Sequence, residues 1–506
     1  MTKQKLPSGY TDAKTFNDLL TKKPEEWWLQ KGQEMALKLF HEMSQRVPAY
    51  QDFLSKNEIS PANIKSIDDF YKIPPIDKDN YLRKYPKEML CWDGKFGSEG
   101  SWVISTTSGS TGEPFYFPRQ DLQDRQYAVM AEQYLRSNFE IQNKSTLYIV
   151  AFPMGAWIGG VFTYEALKLV ASKDEYRLSI ITPGINKQEV INSVKQLGKS
   201  FDQVIIGAYA PFLKDILDDG MHQGITWSDY DIGFVFSAEA FSEKFRDYVL
   251  DLVNAKNRLT ATLNHYGTVD MGTMAHETPE SILIRRSLIE ADYLSLIFPE
   301  NKRQATFCQY NPELYYFEED ENNLLCSSYS GLPLVRYNLK DYGGIIGREE
   351  THAKLLEKGI DLNDLIKQND LEEKTWNLPF VYIYERNDFS VSYYAFLIYP
   401  EMIRNALQKP ELASFITSKF TMFVDYSKGG RQQFHVNIEK HKDVSDDKKL
   451  EKLVLDNIHE TLLIESSEYR EVFQMMGLIV KPHIRLWEYE DPIYFRPGGK
   501  QKWVIK

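Results

Sequence analysis

The stretch Thr106-Thr107-Ser108-Gly109-Ser110-Thr111-Gly112-Glu113-Pro114 places five hydroxyl side chains and two glycines in its first seven residues. It follows the strand-like run Trp102-Val103-Ile104-Ser105. Gly109 and Gly112 permit backbone conformations that point successive N–H groups inward. Such a concavity holds an anion, and the hydroxyls add donors. Each hydrogen bond to a charged oxygen contributes about 1.5–3 kcal/mol, so Thr107, Ser108, Gly109, Ser110, Thr111 and Gly112 can grip a polyphosphate without a basic side chain. A solvated Ser/Thr/Gly linker has the same composition. The loop by itself does not separate the two.

The elements around the loop favour a ligand site. A chain of 506 residues is too long for one core. Residues 1–100 read as helical: Met35, Leu39, Met43 and Val47 form one apolar stripe that Pro48 ends. Ser66 is a candidate cap for a short turn containing Asp68 and Asp69. From about 100 to 345, strand-like runs at 147–152, 178–181, 203–206 and 232–236 alternate with helical stretches at 187–197, 211–217 and 242–253. That alternation predicts an α/β fold with a largely parallel sheet covered on both faces, where ligands sit beyond the carboxyl ends of strands. Residues 315–326 read as a hairpin. Residues 346–376 are a charge-rich helical insertion, and 388–506 a second, smaller α/β unit with strands at 420–426 and 434–438.

Composition narrows the function classes. The net charge of -12 argues against binding to nucleic acid or an anionic membrane surface. No apolar run reaches the ~18–20 residues that cross a bilayer, and no apolar segment follows Met1–Tyr10 as in a signal peptide. Cys91, Cys308 and Cys326 fit neither a disulfide framework nor a zinc motif. Reduced thiols in a cytoplasmic protein are the expectation.

Several separated stretches then line up in order. Thr107–Pro114, Tyr266-Gly267-Thr268-Val269-Asp270, Pro333-Leu334-Val335-Arg336-Tyr337 with Asp341, Glu385-Arg386-Asn387-Asp388 with Ile398-Tyr399-Pro400, and the terminal Gly498-Gly499-Lys500 span most of the chain. Together they resemble the adenylate-forming superfamily, and within it the phenylacetate–CoA ligase-like branch. Val47-Pro48-Ala49-Tyr50 and Lys72-Ile73-Pro74 also resemble that branch. The resemblance implies a large N-terminal adenylate-forming domain with mixed, mostly parallel sheets and a small mobile C-terminal α/β domain. Residues 1–100 would be the helical part of the large domain and 101–387 its ATP- and acyl-binding core.

The resemblance also implies roles. The Ser/Thr/Gly loop would hold the departing pyrophosphate of ATP. Lys500, a mobile point charge, would reach the substrate carboxylate and the α-phosphate. Asp341 would accept the ribose hydroxyls, with Arg386 an added donor. Ser237, Ala238 and Glu239 would lie against adenine, flanked by Tyr266, Gly267 and Thr268. Asp270 stands where the family usually has Glu for Mg2+; its oxygens suit that ion, its reach is one methylene shorter, and Glu277 is a candidate helper. Phe115 stands where many superfamily members outside the branch have lysine. The acyl pocket would come from Phe152, Trp157 and Gly159, with Tyr209 and His265, a mostly apolar set suited to an aromatic or medium-chain apolar acid. Asp388 would be the hinge on which the C-terminal domain turns to admit a thiol.

The reading that follows is an ATP- and Mg2+-dependent ligase that joins a small-molecule carboxylic acid to coenzyme A. A carrier-protein phosphopantetheine or an amine as acceptor stays open. So does a nucleotide-binding scaffold without turnover, given Asp270, Glu113 and Glu385. The insertion leaves a homodimer contact open.

Overall fold

The computed structural model describes residues 5–107, 114–238, 240–299, 305–321, 323–384, 390–394, 396–442, 444–445, 448–495 and 504. Ser108, Gly109, Ser110, Thr111, Gly112, Glu239, Arg386, Asp388 and Lys500 lie outside the described residues.

The N-terminal stripe forms as its periodicity requires. The helix Glu25–Arg46 buries Trp28, Met35, Ala36, Leu39, Phe40 and Met43. It stops at Val47 because Pro48 starts the next helix, Pro48–Lys56, at a position that needs no N–H donor. Ser66 caps Ile67–Phe70 in a reciprocal capping box with Asp69.

A hairpin of β1 (Val103–Thr106) and β2 (Tyr116–Arg119) carries the Ser/Thr/Gly loop between its strands. The remaining strands of the large unit are β3 (Thr146–Ala151), β4 (Leu178–Ile181), β5 (Gln203–Ala208), β6 (Ile232–Ser237), β7 (Thr262–Thr268), β8 (Gly272–His276), β9 (Thr306–Tyr310), β10 (Tyr316–Asp320), β11 (Asn323–Ser328), β12 (Leu334–Ile346) and β13 (Phe380–Ile383). Among the described residues these eleven form one sheet in the order β10-β11-β12-β13-β9-β8-β7-β6-β5-β3-β4. The pairs among β3 to β7 are parallel. Pairing turns antiparallel at β8 and stays so to β10. The fold is thus α/β with a mixed sheet. Its parallel half coincides with the alternating strand–helix stretch, because only a crossover helix returns a parallel neighbour.

The 346–376 insertion forms the helices Arg348–Glu357 and Leu362–Gln368. Leu355, Leu362, Ile366 and Leu371 pack with Ile282, Phe307 and Phe380. The insertion therefore covers the antiparallel half of the sheet with its apolar side, a role its charge-rich sequence obscures.

Residues 390–495 add β14 (Val391–Tyr393) with β15 (Phe396–Ile398), and a sheet of β16 (Ile416–Tyr426), β17 (Gln432–Lys440) and β18 (His483–Trp487). Helices Pro400–Leu407, Lys448–Glu465 and Ser467–Met476 accompany them. The last helix and β18 were not expected from sequence. Phe212, Leu213 and Ile216 of the large unit share an apolar cluster with Tyr393, Tyr394 and Phe396. Arg431 crosses the same boundary to Asp215 at 3.1 Å, and Asp215 is buried. No helix among the described residues is long and apolar enough to cross a membrane.

His265 and His276 face each other across β7 and β8, packed by Tyr134, with Trp376 against His276. Burial pushes His265 well below the usual imidazole range and His276 down to about 3. The unfolded chain protonates both near pH 6.5. Their contribution to stability is therefore full above that pH and falls as pH drops toward the folded values. Each site costs up to about 1.4 kcal/mol per pH unit across that window. Urea unfolding between pH 7 and pH 5 is expected to lose about one proton of slope in His276→Phe. Equal slopes in the two proteins would contradict a neutral buried imidazole.

Candidate active site

One large cavity, about 870 Å³, opens between the large unit and residues 390–504. The loop hairpin stands at one side, where Thr106 and Thr107 line it. Thr107 N–H donates to the Phe115 carbonyl at 3.0 Å, and the Phe115 N–H donates to Thr107 Oγ1 at 3.0 Å. These bonds pin the two ends of the loop.

The ends of β6 and β7 supply the next wall, with Ser237, Ala238, Tyr266, Gly267 and Thr268. Ala238 takes a positive φ of 72°, a conformation that costs a non-glycine residue of order 1–3 kcal/mol and clusters at functional sites. Pairing between β7 and β8 slips at Tyr266/Gly267. Such a bulge re-aims a side chain next to a site. Gly267 is required there: a Cβ would stand 2.7 Å from the Gly272 carbonyl and 3.1 Å from Thr273 Cα. The Tyr266 hydroxyl donates to Asp341 Oδ2 at 2.8 Å, and its ring stacks on Phe317. Tyr266 therefore orients the Asp341 carboxylate as well as walling the cavity.

Asp270 lines the cavity and is nearly buried. The Tyr337 hydroxyl donates to its Oδ2. Lys78 Nζ lies 3.1 Å from the same oxygen. Sequence reasoning does not single out Lys78; its signal is the run Lys72-Ile73-Pro74-Pro75-Ile76-Asp77-Lys78, an extended segment because of its prolines. That segment docks on β12. Ile76 N–H donates to the Arg336 carbonyl at 3.1 Å, and Asn338 N–H donates to the Ile76 carbonyl at 2.8 Å. Arg336 donates to the Tyr71 carbonyl at 2.6 Å, to the Ile73 carbonyl, and to Glu318 at 2.9 Å. Burial raises Glu318 to about 7 despite that arginine.

The apolar end contains Phe152, Trp157, Gly159, Tyr209 and His265. Phe152 and Tyr209 rings lie 5.4 Å apart. Gly207 makes room for Phe152, since a Cβ there would stand 2.9 Å from the Phe152 ring and 2.8 Å from the Tyr148 hydroxyl. From the other unit, Tyr394, Phe396, Leu397, Val472 and Met476 close the cavity. Val504, which bridges to Met422, also lines it.

The structure thus gathers Thr107, Ser237, Ala238, Tyr266, Gly267, Thr268, Asp270, Asp341 and the five apolar-pocket residues around one cavity. It does not bring Glu277 there. Glu277 is buried behind the wall, bonded through both oxygens to Arg246 at 2.8 Å and paired with Arg285 at 3.0 Å. Its candidacy as a metal helper is corrected accordingly: two guanidinium groups already use its charge. Among the described residues no cluster of three or more His, Cys, Asp or Glu side chains could hold a metal ion. Asp270 alone still fits Mg2+, which commonly takes one or two carboxylates with phosphate oxygens and water.

No protein-family model matches the sequence, and no curated protein matches it. Among solved structures, 2-hydroxyisobutyryl-CoA ligase in complex with 2-HIB-AMP and CoA in the thioesterification state aligns with a TM-score of 0.61 and 14% identity. The alignment covers 96% of this chain and 91% of that one. The amide bond synthetase McbA from Marinactinospora thermotolerans aligns at 0.45 and 9% identity, covering 76% and 65% of the two chains. Over nearly its whole length the chain has the fold of that CoA ligase.

Glu277→Ala is expected to cost up to about 3–5 kcal/mol of stability by leaving the buried Arg246 and Arg285 to share Glu243, read by chemical denaturation. The Mg2+ concentration giving half-maximal nucleotide binding should stay unchanged in whatever fraction folds. A shift in that concentration at full stability would restore Glu277 to the metal site.

Proposed function

We propose that this chain activates a small-molecule carboxylic acid as its acyl adenylate at the expense of ATP and then passes the acyl group to a thiol, that of coenzyme A. The observation that carries this reading is the joining, in one cavity, of the loop hairpin, the Tyr266–Asp341 pair, Asp270 and an apolar pocket. The whole-length likeness to a CoA ligase supports the fold on which it rests. The phenylacetate–CoA ligase-like branch is part of the proposal, on the motifs of the sequence.

In the first step a carboxylate oxygen attacks the α-phosphorus, the P–O bond to the β-phosphate breaks, and pyrophosphate leaves. Asp341, oriented by Tyr266, accepts the ribose hydroxyls, the device dinucleotide folds use. The loop from Thr107 donates to the departing phosphates. Lys500 offsets charge on the α-phosphate and the attacking carboxylate. Mg2+ at Asp270 would supply further charge neutralisation when bound. In the second step the thiol sulfur attacks the acyl carbonyl, AMP leaves with the bonding pair, and the thiol proton passes to solvent. Phe152, Trp157 and Tyr209 keep water from the mixed anhydride, and they favour an aromatic or medium-chain apolar acid.

A hydroxylamine-trapping screen of carboxylic acids, with and without CoA, tests the reading. Acid-dependent hydroxamate and ATP–pyrophosphate exchange are expected, and Lys500→Ala should lower the exchange rate by about 10²–10³. A broad panel that gives no exchange, unchanged by Lys500→Ala, would favour a nucleotide-binding scaffold.

The Arg431–Asp215 contact ties the two units in the arrangement seen here. Burial raises the Asp215 carboxyl, an effect opposed mainly by Arg431. Arg431→Gln is expected to slow thioester formation several-fold in single-turnover assays while pyrophosphate exchange holds near wild type. Equal losses in both half-reactions would show that the pair does not belong to the second step.

A further inference from the structure

The loop at 106–114 contains no basic residue, and Phe115 follows it directly. The fold brings a cation from elsewhere. Lys78 Nζ lies 3.1 Å from Asp270 Oδ2 and 5.7 Å from the centroid of the Phe117 ring. Phe117 belongs to β2, opposite Ser105 in the hairpin whose ends hold the loop. Lys78 therefore stands between the β1–β2 hairpin and Asp270, on the cavity wall. Its side chain is 27% exposed, which leaves the ammonium room to turn from the carboxylate to an anion in the cavity.

The neighbouring cations are differently placed. Lys340 is tied to Asp77 and Asp79 at 3.0 and 3.1 Å, and Arg83 pairs with Asp79 at 3.4 Å. Lys87 lies over Phe115 and Tyr116 but is not part of the cavity wall. The ribose end of the site is fixed by Asp341, four residues after Tyr337, whereas Tyr337 itself reaches Asp270. The side of Asp270 that faces the β1–β2 hairpin is thus the end where the terminal phosphates of a nucleoside triphosphate would lie.

We propose that Lys78 is the phosphate-binding cation of this site: its ammonium, delivered by the segment docked on β12 and steadied by Asp270, contacts the β- and γ-phosphates of ATP. This rests on the adenylation reading above. A lysine suits the task as a compact point charge with three donors. The role deepens the site without adding a chemical step, since no bond is made or broken at Lys78.

The test is direct binding of ATP, AMP and inorganic pyrophosphate to the full chain by calorimetry, with EDTA present so that no metal contributes. Lys78→Met should weaken ATP and pyrophosphate about ten- to a hundredfold, the loss of one charge-assisted contact, and leave AMP within twofold. Lys78→Arg should recover most of that loss, and Lys87→Met should bind all three like wild type. The double variant Lys78→Met with Asp270→Asn removes the unpaired carboxylate and should keep the same selective loss in a fold of normal stability. ATP binding by Lys78→Met equal to wild type, or equal losses for ATP and AMP, would overturn the proposal while leaving the adenylation reading standing. A wild-type chain that binds neither nucleotide would overturn both.

Discussion

The short pairing between Ile76 and β12 is the contact on which the site depends. Two backbone hydrogen bonds, Ile76 to Arg336 and Asn338 to Ile76, add the segment around Ile76 to the edge of a strand that is already hydrogen-bonded elsewhere. Each contributes only about 0.5–1.5 kcal/mol net. Arg336 reinforces them by capping the carbonyls of Tyr71 and Ile73 while paired with Glu318. Arg336 does this with a positive φ of 48°, a strained conformation that the surrounding bonds hold in place. The result is a rigid path from the N-terminal helices to the cavity, ending at Lys78 and Asp270.

β12 serves several purposes at once because of the twofold alternation of strand side chains. Arg336 grips the N-terminal segment, Tyr337 bonds Asp270, and Asp341 receives Tyr266. Tyr266 lies near the end of β7, and Asp270 in the turn that leads on to β8. Two tyrosine–aspartate bonds of opposite sense therefore tie the end of β7 and the turn after it to β12: Tyr266 of β7 reaches Asp341, and Tyr337 of β12 reaches Asp270. Behind the turn, Arg246, Glu243, Glu277 and Arg285 form a buried ionic cluster that fixes the root of β7 and β8. The charges there are consumed by one another, and the charges in front of the turn face the cavity.

The cavity is also shaped by the contact between the large unit and residues 390–504. Tyr394, Phe396 and Val472 close it from one side, and the apolar cluster around Leu213 and Ile216 continues across the boundary. The ion pair between Arg431 and buried Asp215 sits beside that cluster. A pair with one buried partner and one half-exposed partner adds little net stability, which suits a contact that selects one arrangement of two units.

Periodicity and punctuation, which are local, could be read without the fold. The alternating strands and helices between 147 and 253, the stripe ended by Pro48 and the cap at Ser66 depend on neighbours a few residues apart, and the structure contains them. The ordered motifs also pointed to Tyr266, Asp270 and Asp341, because short spacings at strand ends are visible in one dimension. What no spacing contains is which charges meet. Lys78 is 192 positions from Asp270, and the proline run before it marks an extended segment without showing which carboxylate its lysine meets. Glu277 is only seven residues from Asp270 in sequence, yet the strand reverses between them and turns it to Arg246 on the far side. The charge-rich insertion conceals a buried face for the same reason: its partners, Phe307 and Phe380, lie on other strands. The sequence by itself determined the alternating core elements and the order of the motifs, through short-range propensity. Only the tertiary structure decided which carboxylate faces the cavity and which is spent on an arginine, because an ion pair is set by distance in space.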